Sequence, residues 1–203
     1  VRRNVVSDKL ELHEADVLAI KDDDLSLWTK GAFILVANIP YNITSDILQK
    51  FLTRSALSSL VPARAVLLLQ KEVVERIVAD IGDMNMLALA MQLYGEPKKA
   101  FTIPAGVFSP PPKVDSAVLM WRRFTSDEQK HRGVKDPERI LAFARPAFDS
   151  KRKQLLNTLG SIYGKEVVAL SLMELDLPPK SRPEDLSAEQ WIKVFHRLTS
   201  KSI

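Results

Sequence analysis

Through about residue 124, short apolar runs with strand character alternate with stretches spaced like one face of a helix, a pattern that predicts a layered α/β domain. Leu10 to His13 is the first strand candidate. Ala32 to Ala37 is unbroken apolar sequence, as expected of a strand buried on both faces of a parallel sheet, and Ala65 to Leu69 repeats the pattern. Between them Ile47, Leu48, Phe51 and Leu52 share a helical face, with Thr44 or Ser45 as its cap and an end near Arg54. A second helix from about Lys71 carries Val73, Val74, Ile77 and Val78, and a third runs from Met86 to Leu93. Ala100 to Ile103 and Ser116 to Trp121 are the remaining strands, separated by a proline-rich link. Residues 125–137 are polar and read as a linker.

Everything beyond the linker has helical spacing, in segments Pro137 to Phe148, Lys151 to Ile162, Lys165 to Leu175 and Ala188 to Leu198. Asp136 before Pro137 is an N-cap and first-turn pair, and Ser187 with Gln190 is a capping box. The pattern predicts two domains, residues 1–124 (α/β) and 125–203 (all helical).

Composition narrows the class. With no cysteine there are no disulfides, thiolate metal sites or cysteine nucleophiles, and no apolar run approaches the ~18 residues needed to cross a bilayer. A soluble, cytoplasmic protein is the expectation, and Val1 to Val6 has two arginines but no signal-peptide core. Net charge is +4, unevenly spread: residues 1–121 hold 13 Lys and Arg against 14 Asp and Glu, whereas 122–203 hold 16 against 11. Arg145, Lys151, Arg152 and Lys153 face only Asp149 in a nine-residue stretch, a candidate phosphate footprint that a solvated helix start would also explain. His13, His131 and His196 have no metal-ligand spacing, so no metal is expected. Asp22 to Asp24 read as a solvated loop, and Trp28, Trp121 and Trp191 as packing residues.

Two segments bear on chemistry. Asn38-Ile39-Pro40-Tyr41 follows a predicted strand, at the end of the sheet where ligands bind in open α/β folds. The exocyclic amine of a base is a poor nucleophile because its lone pair is delocalised into the ring. The Asn38 amide oxygen and a fixed backbone carbonyl near Pro40 could accept both amine hydrogens and aim that lone pair at a methyl sulfonium. Tyr41 offers a face for the base. Standing alone, the tetrapeptide reads first as a turn that opens a helix. The second segment, Phe108-Ser109-Pro110-Pro111-Pro112-Lys113-Val114-Asp115-Ser116, holds an extended backbone that could present Phe108 as a second wall, or could be a connector with Phe108 in the core.

Taken together, Val36 to Thr44, Leu69 to Arg76, Phe108 to Val118, Ala147 to Leu155 and Arg182 to Ser187 resemble the ribosomal RNA adenine N6,N6-dimethyltransferases. The likeness spans nearly the whole chain, and its last two stretches resemble the type acting on 16S RNA more than the related 23S enzymes of macrolide resistance. The resemblance implies a Rossmann-like class I methyltransferase sheet, incomplete at its N-terminus, plus a small all-α C-terminal domain. It implies S-adenosylmethionine as cofactor, the small ribosomal subunit as partner, and dimethylation of two adjacent adenines near the 3′ end of 16S RNA as the activity. By the same likeness, Asn38 and the Pro40 backbone hold the target amine, Tyr41 and Phe108 sandwich the adenine, and Asp16 holds the adenine amine of the cofactor. Asn38 is expected to reach the cofactor as well, and the charge pattern makes Arg145, Lys151, Arg152 and Lys153 the expected RNA contacts.

The chain departs from the family's pattern in places. Ala15 stands where a glycine is usual before Asp16, and Met84 to Leu87 replaces a common Gly-Arg-Leu segment. No Gly-x-Gly occurs among its seven glycines. Residues 1–15 are too few for the family's first two strand-helix units, at roughly 30 residues each, so a fragment is expected, with Leu10 to His13 lacking ladder partners and the chain disordered or displaced through about Leu25. Two other readings stay open: a non-catalytic RNA-binding or ribosome-assembly module, and a resistance-type 23S methyltransferase.

Overall fold

The computed structural model describes residues 10–29, 31–53, 61–150 and 152–200. Helix α1 (Asp22–Thr29) precedes strand β1 (Ile34–Asn38), which passes through a 3-10 turn (Tyr41–Ile43) into α2 (Thr44–Phe51). Then come β2 (Arg64–Gln70), α3 (Lys71–Ile77), α4 (Met86–Tyr94), β3 (Gly95–Ile103) and β4 (Ser116–Arg123). The helical half comprises α5 (Ser126–His131), α6 (Pro137–Phe148), the short α7 (Leu155–Thr158) and α8 (Gly160–Tyr163), α9 (Lys165–Glu174) and α10 (Ala188–Thr199).

The four strands lie in the order β1-β2-β4-β3. β1 and β2 are parallel, whereas β4 runs antiparallel to both of its neighbours. The antiparallel ladder needs only the link after Ile103 to reverse the chain, while the parallel pair needs α2 as a crossover. One face of the sheet is core: Ala65, Leu67, Leu69, Ala117, Leu119 and Trp121 are buried in one cluster with residues of α2, α3 and α4.

Several expectations change. Leu10 to His13 forms no strand; it is irregular, with the His13 ring stacked on Trp28 at 4.1 Å. β1 is not buried on both sides, because Ile34 is 59% and Val36 73% exposed while Leu35 and Ala37 pack on the core. An apolar run shows that both faces tolerate burial, not that both are covered. The caps proposed at Thr44 or Ser45 are absent, since the 3-10 turn feeds directly into α2 and Thr44 is its first helical residue. The expected end of that helix, near Arg54, lies outside the described residues.

The polar stretch 125–137 is not a plain linker. Thr125 accepts the Glu128 N–H and the Glu128 carboxylate accepts the Thr125 N–H, a capping box that makes α5. The segment expected as one helix, Lys151 to Ile162, is instead the two single turns α7 and α8. The caps of α6 by Asp136 and of α10 by Ser187 with Gln190 are as the sequence predicts.

The two halves share one hydrophobic core. Tyr94 Oη donates to Glu138 Oε1 at 2.7 Å, and Arg132 Nη1 donates to the Gln92 carbonyl at 3.0 Å, so α4 is tied to the start of the helical half. Among the described residues no helix is long and apolar enough to cross a membrane.

Candidate functional site

The end of β1 shapes the candidate site. The Ile39 N–H donates to the Leu68 carbonyl at 3.3 Å, extending the parallel ladder one residue beyond Asn38. Pro40 then stops the ladder, having no N–H to donate and a fixed φ, here −55°. Its carbonyl accepts the Ile43 N–H at 3.2 Å and the Thr44 hydroxyl at 3.4 Å, closing the 3-10 turn that carries Tyr41. The link between β3 and β4 supplies the other side. After Pro104 a 3-10 turn (Ala105–Val107) delivers Phe108, and the Ser109–Pro110 peptide is cis.

Asn38, Pro40, Tyr41 and Phe108, separated by up to seventy positions in sequence, line one cavity of about 340 Å³, floored by Leu68 and Ser116. The sequence predicts this convergence and the structure makes it. Tyr41 is 37% exposed and Phe108 half-buried, so both rings reach the opening while anchored at their bases. The Tyr41 and Ser116 hydroxyls are hydrogen-bonded at 3.0 Å. Ser116 was not singled out from the sequence; the available signal was a hydroxyl at the start of an otherwise apolar strand.

Among the described residues no charged side chain lines the cavity. It is a neutral, largely apolar slot with aromatic and amide groups, suited to an uncharged planar ring. The cofactor implied by the resemblance carries a sulfonium, an ammonium and a carboxylate, and these residues hold no partner for any of them. Asp16 is exposed and outside the lining, with its Oδ1 accepting the Leu18 N–H at 2.9 Å. Lys50 Nζ, donating to the Leu18 and Ile20 carbonyls, ties that loop to α2. The described residues therefore fit a base and do not by themselves fit the cofactor.

The basic patch lies elsewhere. Arg145 sits in the last turn of α6, and Arg152 and Lys153 follow it, all exposed and none with a carboxylate partner among the described residues; Lys151 lies outside them. None of them lines the slot. Among the described residues no cluster of His, Asp and Glu could hold a metal ion. The strongly displaced titrations mark packing instead of chemistry. Burial and the Glu138 carboxylate raise Tyr94 well above its ordinary value, and burial pushes the Arg123 guanidinium down to about 10. Both lie where the sheet meets the helical half.

A family described as ribosomal RNA adenine dimethylase matches residues 3–200. A ribosomal RNA small subunit methyltransferase A from Nostoc sp. is 39% identical over 167 residues, covering 81% of this chain and 60% of that protein. One from Dehalococcoides mccartyi is 36% identical over 185 residues, covering 90% and 61%. The chain thus spans about three fifths of the length of these curated relatives. Two crystal structures share the fold. A dimethyladenosine transferase from Plasmodium falciparum matches with a TM-score of 0.72 at 23% identity, over 97% of this chain and 74% of that one. The 23S rRNA methyltransferase ErmE matches at 0.70 and 23%, over 91% and 70%. The sheet and its helical companion accordingly have the Rossmann-like methyltransferase fold.

Proposed function

The chain belongs to the ribosomal RNA adenine dimethylase family, and from that membership we propose that its protein transfers methyl groups from S-adenosylmethionine to the N6 amines of two adjacent adenines near the 3′ end of 16S RNA. The observation that carries this reading is the neutral slot in which Tyr41, Phe108 and Asn38 converge at the end of a parallel strand pair. Stacking on the two rings holds the base, at roughly 1–3 kcal/mol per base for such contacts. The Asn38 amide oxygen accepts one amine hydrogen. Because the Pro40 carbonyl already serves Ile43 and Thr44, the second acceptor is either its remaining lone pair or the neighbouring Ile39 carbonyl, which has no hydrogen bond among the described residues. Two such bonds pull the amine out of conjugation and direct its lone pair outward.

The cofactor supplies an electrophilic methyl group, and Asp16 and Asn38 are the residues of this chain proposed to contact it. The nitrogen becomes acidic once alkylated and loses its proton to water, which agrees with a slot whose lining, among the described residues, holds no carboxylate, histidine or lysine. Residues 1–124 are proposed to carry the slot and 125–203 the RNA grip, with Arg145, Lys151, Arg152 and Lys153 on phosphates, in the cytoplasm where ribosomal subunits mature.

A second reading, an RNA-binding module without chemistry, is favoured by one feature: the lining lacks any charged partner for the cofactor. Labelled methyl transfer to isolated ribosomal subunits separates these. Label in two adjacent adenines of small-subunit RNA is expected. Label in the large subunit would support the 23S reading, and RNA binding with no transfer would support the module.

A further inference from the structure

Ser116, which opens β4, and Asp115 just before it touch both walls of the slot. Ser116 is 1% exposed, and its backbone is fixed between Gln70 on one side and Ile103 on the other. A buried hydroxyl needs a partner, and this one meets the Tyr41 hydroxyl at 3.0 Å. Tyr41 stands on a single 3-10 turn with no side-chain cap, so its backbone alone leaves the ring free to change rotamer. Asp115 reaches the other wall. Its Oδ1 accepts the Ala105 N–H at 3.1 Å, and the Ala105 carbonyl accepts the Phe108 N–H at 3.2 Å. Its own carbonyl accepts the Lys71 N–H at 3.0 Å, where β2 gives way to α3. These bonds converge on the loops that line the cavity.

We infer that Asp115 and Ser116 are the positioning residues of the base slot: the Ser116 hydroxyl holds the Tyr41 ring, and the Asp115 carboxylate holds the turn that presents Phe108, so the first residue of β4 and the one just before it set the gap between two stacking surfaces. The inference rests on the reading of the cavity as an adenine slot. A turn closed by backbone bonds alone would tolerate a range of ring orientations, and stacking is sensitive to spacing and tilt. Anchoring one ring to the first residue of a strand paired on both sides, and the other to the residue just before it, converts the rigidity of the sheet into a fixed slot width.

The test uses the full chain and a short single-stranded RNA with one 2-aminopurine in place of adenine, whose fluorescence falls on stacking. Tyr41→Ala and Phe108→Ala come first; if neither alters the quenching, the base-slot reading falls. If they do, Ser116→Ala and Tyr41→Phe should each weaken the quenched complex about two- to tenfold, the scale of one hydrogen bond. The double variant should be no worse than either single one, because both remove the same bond. Asp115→Asn, which keeps the Oδ1 acceptor, should bind like the wild type, whereas Asp115→Ala should not. Thermal melts accompany every variant. If Ser116→Ala and Asp115→Ala lower the melting temperature while the folded protein quenches as before, or if Ser116→Ala and Tyr41→Phe add, the residues support the fold only and the inference is overturned.

Discussion

Asn38 makes the sharpest claim on a single side chain. It ends β1 exposed at the slot, so its amide is available to a ligand and is not consumed in packing. Asn38→Ala should abolish methyl transfer while 2-aminopurine quenching persists, since the rings remain; transfer at the wild-type rate would remove Asn38 from the mechanism. Tyr41→Ala and Phe108→Ala should each cost base binding roughly 1–3 kcal/mol, read from the same titration. At this scale the sequence was most legible where residue types carry chemistry: Asn38, Pro40, Tyr41 and Phe108 were all named from it and meet in one cavity. Ser116 and Asp115 were not, because a serine and an aspartate beside a turn look the same whether they hold one neighbour or two. Their bonds to Tyr41 and Ala105 span 75 and 10 residues, and only the folded chain shows them.

Element boundaries followed the strength of local signals. α6 and α10 begin where Asp136 and Ser187 cap them, each cap stating its own position. α5 was missed because all six of its residues are polar, leaving no apolar period to detect, although the Thr125–Glu128 pair that builds it was in view. That pair yields a prediction. The Glu128 carboxylate is held below its ordinary value of 4.5, first by the Thr125 N–H and then by Arg122, whose Nη1 donates to both of its oxygens at 2.9 Å. A carboxylate with a depressed folded-state pKa stabilises the fold above its unfolded value and loses that contribution as the pH falls. Melting temperature should therefore drop below pH 4.5 more steeply in the wild type than in Glu128→Gln, and parallel curves would show that the charge on Glu128 contributes nothing. Gly95, between α4 and β3, gives a second. Its φ of −171° is open to any residue, but an added Cβ would lie 2.4 Å from both the Arg122 carbonyl and the Trp121 ring. Gly95→Ala should lower stability by about 1–3 kcal/mol or more in urea unfolding, through overpacking against backbone that cannot move aside.

At the scale of the whole molecule, charge and slot are separate. The sheet half carries the neutral cavity, whereas exposed cations without carboxylate partners follow α6 in the helical half. RNA affinity should therefore depend on salt chiefly through the helical half. Neutralising Arg145, Lys151, Arg152 and Lys153 should flatten the log–log salt slope by up to ~0.7 per lost contact on single strands, and an unchanged slope would leave the patch as solvated surface.

The same separation governs the methyl donor. A charged amino-acid tail needs charged partners or a fan of backbone N–H groups, such as a glycine-rich loop at a helix N-terminus provides. No Gly-x-Gly stands in the 203 residues, no charged side chain lines the slot among the described residues, and one oxygen of the exposed Asp16 carboxylate serves its own turn by accepting the Leu18 N–H. What remains is an exposed amide at Asn38 and a loop held by Lys50. Calorimetric titration of this chain with S-adenosylmethionine should show no micromolar binding, while the 2-aminopurine RNA is still quenched. Micromolar cofactor binding would mean that the exposed Asp16 carboxylate and the Asn38 amide suffice to hold the cofactor, and Asp16→Ala would then abolish it.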